Sequence, residues 1–260
     1  MGDGVPEQLA LNGIASSGAV PSVTNAASVH ASRCGICKLR DSSFCGALFN
    51  GTGALLTVER KQRITPARQN VYRAGEINDG ALLICEGWAV RFIQLPNGKR
   101  QILSLAMPGD LISPASILEG RFAFSVQAVT KVVSCKISFR DVLLRIRQNP
   151  ALFDTWIKLT AAERRQADMQ LVDLGQRNAT DRVAALLHGV LLRQEERGEL
   201  MNDEFAFPLT QQQIAEFTGL TPVHACRVVA KLRKGGVCKV GHGTVKVLDR
   251  FELERLASLR

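Results

Sequence analysis

The stretch LTQQQIAEFTGLTPVHACRVVAKLRKGG, residues 209–236, limits the possible folds more than any other part of the chain. Thr210 is placed to cap a helix running to about Phe217. Gly219 permits a tight turn, with Leu220 packed beneath it. Pro222 suits the first turn of a second helix, where its missing N–H costs nothing. Val223, Val228 or Val229, and Leu232 are expected to form the buried face. His224, Arg227, Lys231, Arg233 and Lys234 then fall outward. The segment VCKVGHGTVKVLD follows and reads as a two-strand hairpin around Gly241-His242-Gly243. Between His224 and Lys246 there are six Lys/Arg residues and no Asp or Glu. A helix entering the major groove needs that balance, because it approaches phosphates from every side. The bland alternative is a solvated basic helix on an ordinary helical hairpin. The Gly turn, the long second helix and the wing-like hairpin together favour DNA. The expected DNA contacts are Thr210, Gln211, Thr221, Pro222, Val223, His224, Cys226, Arg227, Lys231 and Lys234.

The remainder sorts by texture. Residues 1–32 are rich in Gly, Ala, Ser, Val and Asn without a lasting period, and read as a disordered tail. From about Thr57 to Ser138, short apolar runs alternate with turn residues, and Pro96-Asn97-Gly98 marks a hairpin. That pattern predicts an antiparallel β-barrel or roll. From Phe139 to Arg197 the period is helical, with helix starts at Pro150 and at Thr180-Asp181. The expected fold class is α+β, with a cysteine segment and β-roll over 33–149, a long helix over 150–178 and a winged helix-turn-helix over 179–260.

In the long helix, Ile157, Thr160, Arg164, Ala167, Leu171 and Leu174 keep a 3-4-3-4-3 spacing. This reads as a thin coiled-coil seam between two copies, the bland alternative being a helix lying on its own barrel. Only Ile157, Leu171 and Leu174 add substantial apolar contact, so the expected dimer is marginal.

No run of about eighteen apolar residues is present, so no membrane span is expected. Nor does a basic, then apolar, leader open the chain, and the expected compartment is the cytoplasm. In such a compartment clustered thiols are metal ligands or redox groups more often than staples. The segment RCGICKLRDSSFCGALFN carries Cys34, Cys37 and Cys45. Cys85 reads as a small core residue, and Cys238 opens the wing. Cys226 lies in the basic helix, open either to DNA or to oxidation. The net charge of +9 favours an anionic partner. A redox enzyme lacks support: no Ser/His/Asp grouping, nucleotide loop or pair of acids stands out.

The order of β-roll, long helix and winged helix-turn-helix, with the 209–237 segment as its most specific part, resembles the cyclic-AMP-receptor/fumarate-nitrate-reductase family of bacterial transcription regulators. The likeness covers roughly residues 34–255. It implies a homodimer that binds palindromic promoter DNA and contacts RNA polymerase. The family's cyclic-nucleotide branch carries a Gly-Glu pair and an Arg-Ser/Thr pair for the cyclic phosphate. Here Gly109-Asp110 and Arg121-Phe122 stand instead, so cyclic AMP is not expected. Cys34-x2-Cys37-x7-Cys45 is similar to the oxygen-sensing branch, in the spacing of its nitrogen-fixation regulators. Cys135, in VVSCKISF, falls where that branch places a fourth ligand. The resemblance therefore implies a [4Fe–4S] cluster on Cys34, Cys37, Cys45 and Cys135. Spacing alone also suits tetrahedral zinc. A regulator of the same fold that senses redox state, nitric oxide or haem without a cluster is the alternative. Val223 and Cys226 replace the family's usual Glu and Ser in the second helix. Arg227 is retained for a bidentate guanine contact.

Overall fold

The computed structural model describes residues 44–49, 60–112, 114 and 119–258. The tail expected over 1–32, and Cys34 and Cys37, lie outside the described residues.

A short helix α1 (Phe44–Phe49) precedes eight strands: β1 (Arg60–Thr65), β2 (Asn70–Tyr72), β3 (Gly80–Glu86), β4 (Ala89–Gln94), β5 (Arg100–Ala106), β6 (Leu111–Ile112), β7 (Ser125–Ala128) and β8 (Val132–Ser138). They form two antiparallel four-stranded sheets, in the orders β1-β8-β3-β6 and β2-β7-β4-β5. Helices α2 (Phe139–Gln148), α3 (Pro150–Gln176) and α4 (Ala179–Glu196) follow. The chain ends with β9 (Glu204–Ala206), α5 (Gln211–Thr218), α6 (Pro222–Lys234), β10 (Cys238–Gly241), β11 (Thr244–Val247) and α7 (Arg250–Ala257). This is the expected roll, long helix and winged helix-turn-helix. Two pieces were not legible: β9, which pairs with β11 to make the wing three-stranded, and the terminal helix α7.

The apolar run GALLICE of β3 is explained by burial on both faces. Alternate side chains of a strand point to opposite sides. Leu82 and Ile84 enter the roll interior with Val71, Phe122, Phe124 and Val126. Ala81 and Leu83 face outward and join Cys135 and Ile137 of β8. That outer face is covered by Phe44 and Leu48 of α1, Val142 of α2, and Leu152 and Trp156 of α3.

The second sheet is also buried on both sides. Ala89 and Ala106 face the interior. Val90, Phe92, Ile102 and Leu105 face outward and share one core with Val183, Leu187, Phe205, Ile214, Val228 and Leu253 of the winged module. The roll is thus the middle layer of the molecule. The long helix α3 runs past both outer cores, from Trp156 at the first sheet to Gln170, whose Nε2 donates to Ile102 O at 2.8 Å on β5.

Candidate DNA interface and thiol site

The two helices of the turn are fixed by local hydrogen bonds. Thr210 Oγ1 accepts the Gln213 N–H at 3.2 Å, and Gln213 Oε1 accepts the Thr210 N–H at 2.9 Å, a reciprocal cap on α5. Gly219 takes φ +68°, and a Cβ there would meet Leu174 Cδ2 at 2.9 Å. The positive φ favours glycine, and any Cβ would also displace the end of the Leu174 side chain. Thr221 Oγ1 accepts the His224 N–H at 3.2 Å and starts α6, with Pro222 in its first turn.

The buried face of α6 is Ala225, Val228, Val229 and Leu232, a spacing of 3, 1 and 3 that is one helical stripe. Val223 was expected in it but is 62% exposed. It lies two residues before Ala225, about 200° around the helix at 3.6 residues per turn, so it shares the outward face. Thr210, Gln211, Thr221, Pro222, His224, Cys226, Arg227, Lys231 and Lys234 are all exposed as well. Lys231 Nζ also lies 3.4 Å from Thr180 Oγ1 at the start of α4. Lys239, His242 and Lys246 continue an exposed basic surface along the wing. Cys238 is different: it is fully buried at the base of the wing, and burial pushes its thiol up to about 11. A thiol held protonated in this way is a packing group.

The remaining described thiols gather at the first sheet. Cys135 on β8 is 3% exposed. Cys45 on α1 is half-buried against the same core. Cys85 packs against that core too, as expected of a small core residue: Leu83 pairs with Cys135 across β3 and β8, and Cys85 lies two positions further along the same face. None of the three is in a disulfide. Among the described residues no group of three His, Cys, Asp or Glu side chains is arranged to hold a metal. Of the expected four-thiol set, Cys45 and Cys135 meet in one apolar core, and Cys34 and Cys37 are outside the described residues.

This core is wired to the long helix. Phe44, next to Cys45, packs edge-on against Trp156 of α3 at 5.5 Å between ring centroids. Asn149 caps α3 by accepting the Ala151 N–H at 3.1 Å, and its Nδ2 lies 3.4 Å from Ala47 O of α1. Along α3, Ile157 is 50% and Leu171 68% exposed, and Arg164 and Ala167 are exposed beside them. Phe153, 49% exposed and four residues before Ile157, extends the same stripe and was missed in the sequence. Thr160 is half-buried and donates to Trp156 O at 3.0 Å. Leu174, also half-buried, turns toward Gly219. Arg164 is paired along its own helix with Asp168, at 2.9 and 3.1 Å, so its charge does not stand alone on the stripe.

A cavity of about 800 Å3 lies where α1, β5, β6, α3 and α4 meet. Its three arginines are matched to acids: Arg91 with Glu163, and Arg193 and Arg197 with Asp110. Asp110 is thereby committed to arginines at the end of α4, and Arg121 donates to Gly75 O at 2.7 Å.

Two family models match this chain, a Crp-like helix-turn-helix domain over residues 181–256 and a cyclic nucleotide-binding domain over residues 62–149. The nitrogen fixation regulation protein FixK of Bradyrhizobium diazoefficiens is 30% identical over 232 residues, spanning 86% of this chain and 94% of its own length. The chain belongs to the Crp/Fnr family of transcription regulators. The transcriptional activatory protein AadR of Rhodopseudomonas palustris is 31% identical over 226 residues, spanning 85% of this chain and 92% of that protein. The structure of FixK2 from Bradyrhizobium japonicum shares the fold, with a TM-score of 0.68 at 20% identity, over 78% of this chain and 99% of that one. This fold and these relatives are those of DNA-binding regulators, not of enzymes. Among the described residues no helix is long and apolar enough to cross a membrane.

Proposed function

We propose that this Crp/Fnr-family regulator is a transcriptional activator that binds palindromic promoter DNA as a homodimer, contacts RNA polymerase, and is controlled through its N-terminal thiols. Cys34, Cys37, Cys45 and Cys135 would hold an oxygen-labile [4Fe–4S] cluster. The name of AadR supports an activator, and the commitment of Asp110, Arg91 and Arg121 to internal partners supports a signal other than cyclic AMP. The two described donors suit the group in kind. Cys45 and Cys135 are soft sulfur donors in one apolar shell, the surroundings that favour a cluster over a hard cation. When bound, the cluster supplies a link between its ligand cysteines that oxygen can break.

The observation that carries the reading is the contact of Phe44 with Trp156. It couples the cysteine-bearing α1 to the helix that bears the apolar stripe. Cys135 sits three residues before Ser138, which caps α2, and α2 leads directly into α3. Tethering α1 to β8 holds Phe44 against Trp156 and so fixes the first turns of α3. The stripe of Phe153, Ile157 and Leu171 then meets its copy in a defined register. A few kcal/mol of bias moves such an equilibrium by orders of magnitude.

The test is iron and sulfide content, with visible absorption, of the full-length protein purified without oxygen. Wild type is expected to carry both and to bleach in air. Cys135→Ser should lose both, together with anaerobic DNA binding, whereas Cys238→Ser should keep them. Full iron content in Cys135→Ser refutes the ligand assignment. A second reading, a thiol switch without a cluster, is favoured by Cys85 and Cys135 sharing one core. It predicts iron-free protein whose response to oxidants is lost in Cys85→Ser.

A further inference from the structure

Polar contacts fasten the winged module to the roll in addition to the shared core. Asp110 lies in the turn between β5 and β6. Its carboxylate accepts the Met107 N–H at 2.7 Å, accepts Arg197 Nη2 at 2.7 Å, and pairs with Arg193. Arg193 belongs to α4, the first helix of the module, and Arg197 is the residue that caps its C-terminus. Arg193 also donates to Leu105 O of β5 at 3.1 Å. A second anchor is on α5: Gln101 Nε2 donates to Phe217 O at 3.1 Å, and Arg100 lies 3.6 Å from Glu216. The strand β5 is an edge of its sheet, so its outward carbonyls need partners. Those partners come from α3 and α4.

We propose that Asp110 is a positioning residue for DNA recognition: through Arg193 and Arg197 it fixes the angle at which the winged module, and with it α6, is presented to DNA. The inference rests on the homodimer reading above. In a symmetric dimer, two recognition helices must enter major grooves about 34 Å apart. Besides the shared core and the α5 anchor, two links bear on how α6 sits relative to the dimer helix. One is the covalent joint, where Arg177 and Asn178 alone separate α3 from α4. A joint of this kind is a hinge, since a few non-helical residues absorb a large rotation. The other is the β5–Asp110 contact, which spans more than eighty residues of sequence and closes the hinge from the far side. The pair is partly shielded, with Asp110 22%, Arg193 27% and Arg197 16% exposed, so salt screens it less than an open surface pair. None of the three is on the outward face of α6. Their effect on DNA is therefore confined to geometry.

The experiment uses the full-length protein, purified anaerobically, and duplexes built from the half-site recovered by selecting random-sequence DNA. One duplex carries a single half-site. The others carry two, with the spacing varied one base pair at a time around one helical turn. Wild type is expected to show a sharp optimum. Asp110→Asn keeps an oxygen for the Met107 N–H and loses the charge. It should bind the optimal palindrome roughly tenfold more weakly, because the competent fraction of module orientations falls. Its spacing profile should flatten, and its affinity for the single half-site should stay at the wild-type value. The double variant Arg193→Gln, Arg197→Gln leaves the turn untouched and should behave alike. If both variants keep the wild-type optimum and sharpness, or if both lose single half-site binding equally, the positioning role is overturned. A wild type with no preference for two half-sites over one overturns the dimer reading, and this inference with it.

Discussion

The outer faces of the roll's two sheets are both dry, yet they bury against different things. The first packs on α1, α2 and the start of α3, and it gathers Cys45, Cys85 and Cys135 around Trp156. The second packs on the winged module, and its Val90, Phe92 and Leu105 belong to the same core as Val228 and Leu232 of α6. One face holds the chemistry and the other holds the DNA reader. The roll interior and α3 lie between them. A sheet buried on both sides is a rigid layer, because interiors are close-packed and transmit strain. On the proposed reading, a change at the thiols would reach α6 as a shift of α3 or of the whole layer.

One buried aromatic on each side separates the two faces most clearly. Trp156→Ala and Phe205→Ala each empty a buried aromatic site and should each cost about 3–5 kcal/mol in thermal or urea unfolding. The two should then diverge. Phe205→Ala, in the winged core, should lose single half-site DNA binding along with stability. Trp156→Ala should keep that binding below its melting temperature and lose the difference between anaerobic and air-exposed protein. If Trp156→Ala lost half-site binding as completely as Phe205→Ala, the two faces would not be separate in function.

A smaller effect sharpens the output side alone. Arg227→Ala should cost about 1–3 kcal/mol on the specific site and relax preference at one guanine. Lys234→Ala should weaken binding to specific and random duplexes alike and lower the slope of log affinity against log salt by about one. Equal losses on both duplexes for Arg227→Ala would remove it from base readout.

The least effect concerns acid. His188 sits half-buried on α4 of the winged module, and burial holds its imidazole below the ordinary 6.5, with Glu254 and Glu195 pulling upward and Arg250 downward. A histidine whose folded value is depressed takes up its proton more readily when unfolded. Its contribution is present above pH 6.5 and is lost as the pH falls below it. The melting temperature of the winged module should therefore dip modestly on acidification, and His188→Gln should reduce that dip. An unchanged dip in the variant would assign it to other groups.

The sequence by itself determined the parts whose chemistry is local. Thr210 with Gln213, Gly219, and Thr221 with Pro222 are caps and turns made within four residues of one another, so their pattern was readable at once. The Asn97-Gly98 turn between β4 and β5 was legible for the same reason. Cys135 was singled out only by the family resemblance, and it lies in the core that α1 covers. Only the tertiary structure decided what depended on strand pairing and on layers. Val223 was misjudged because a single apolar residue near a helix start does not say which stripe it joins. Cys85 came to share a core with Cys135 through the pairing of β3 with β8, some fifty positions apart in the chain. Asp110 was read as a departure from a ligand motif, and its arginine partners lie 83 and 87 residues away. The apolar character of β3 and β4 announced burial without saying by what. Alternation along a strand fixes which side chains share a face, but what covers that face is set by elements that arrive later in the chain.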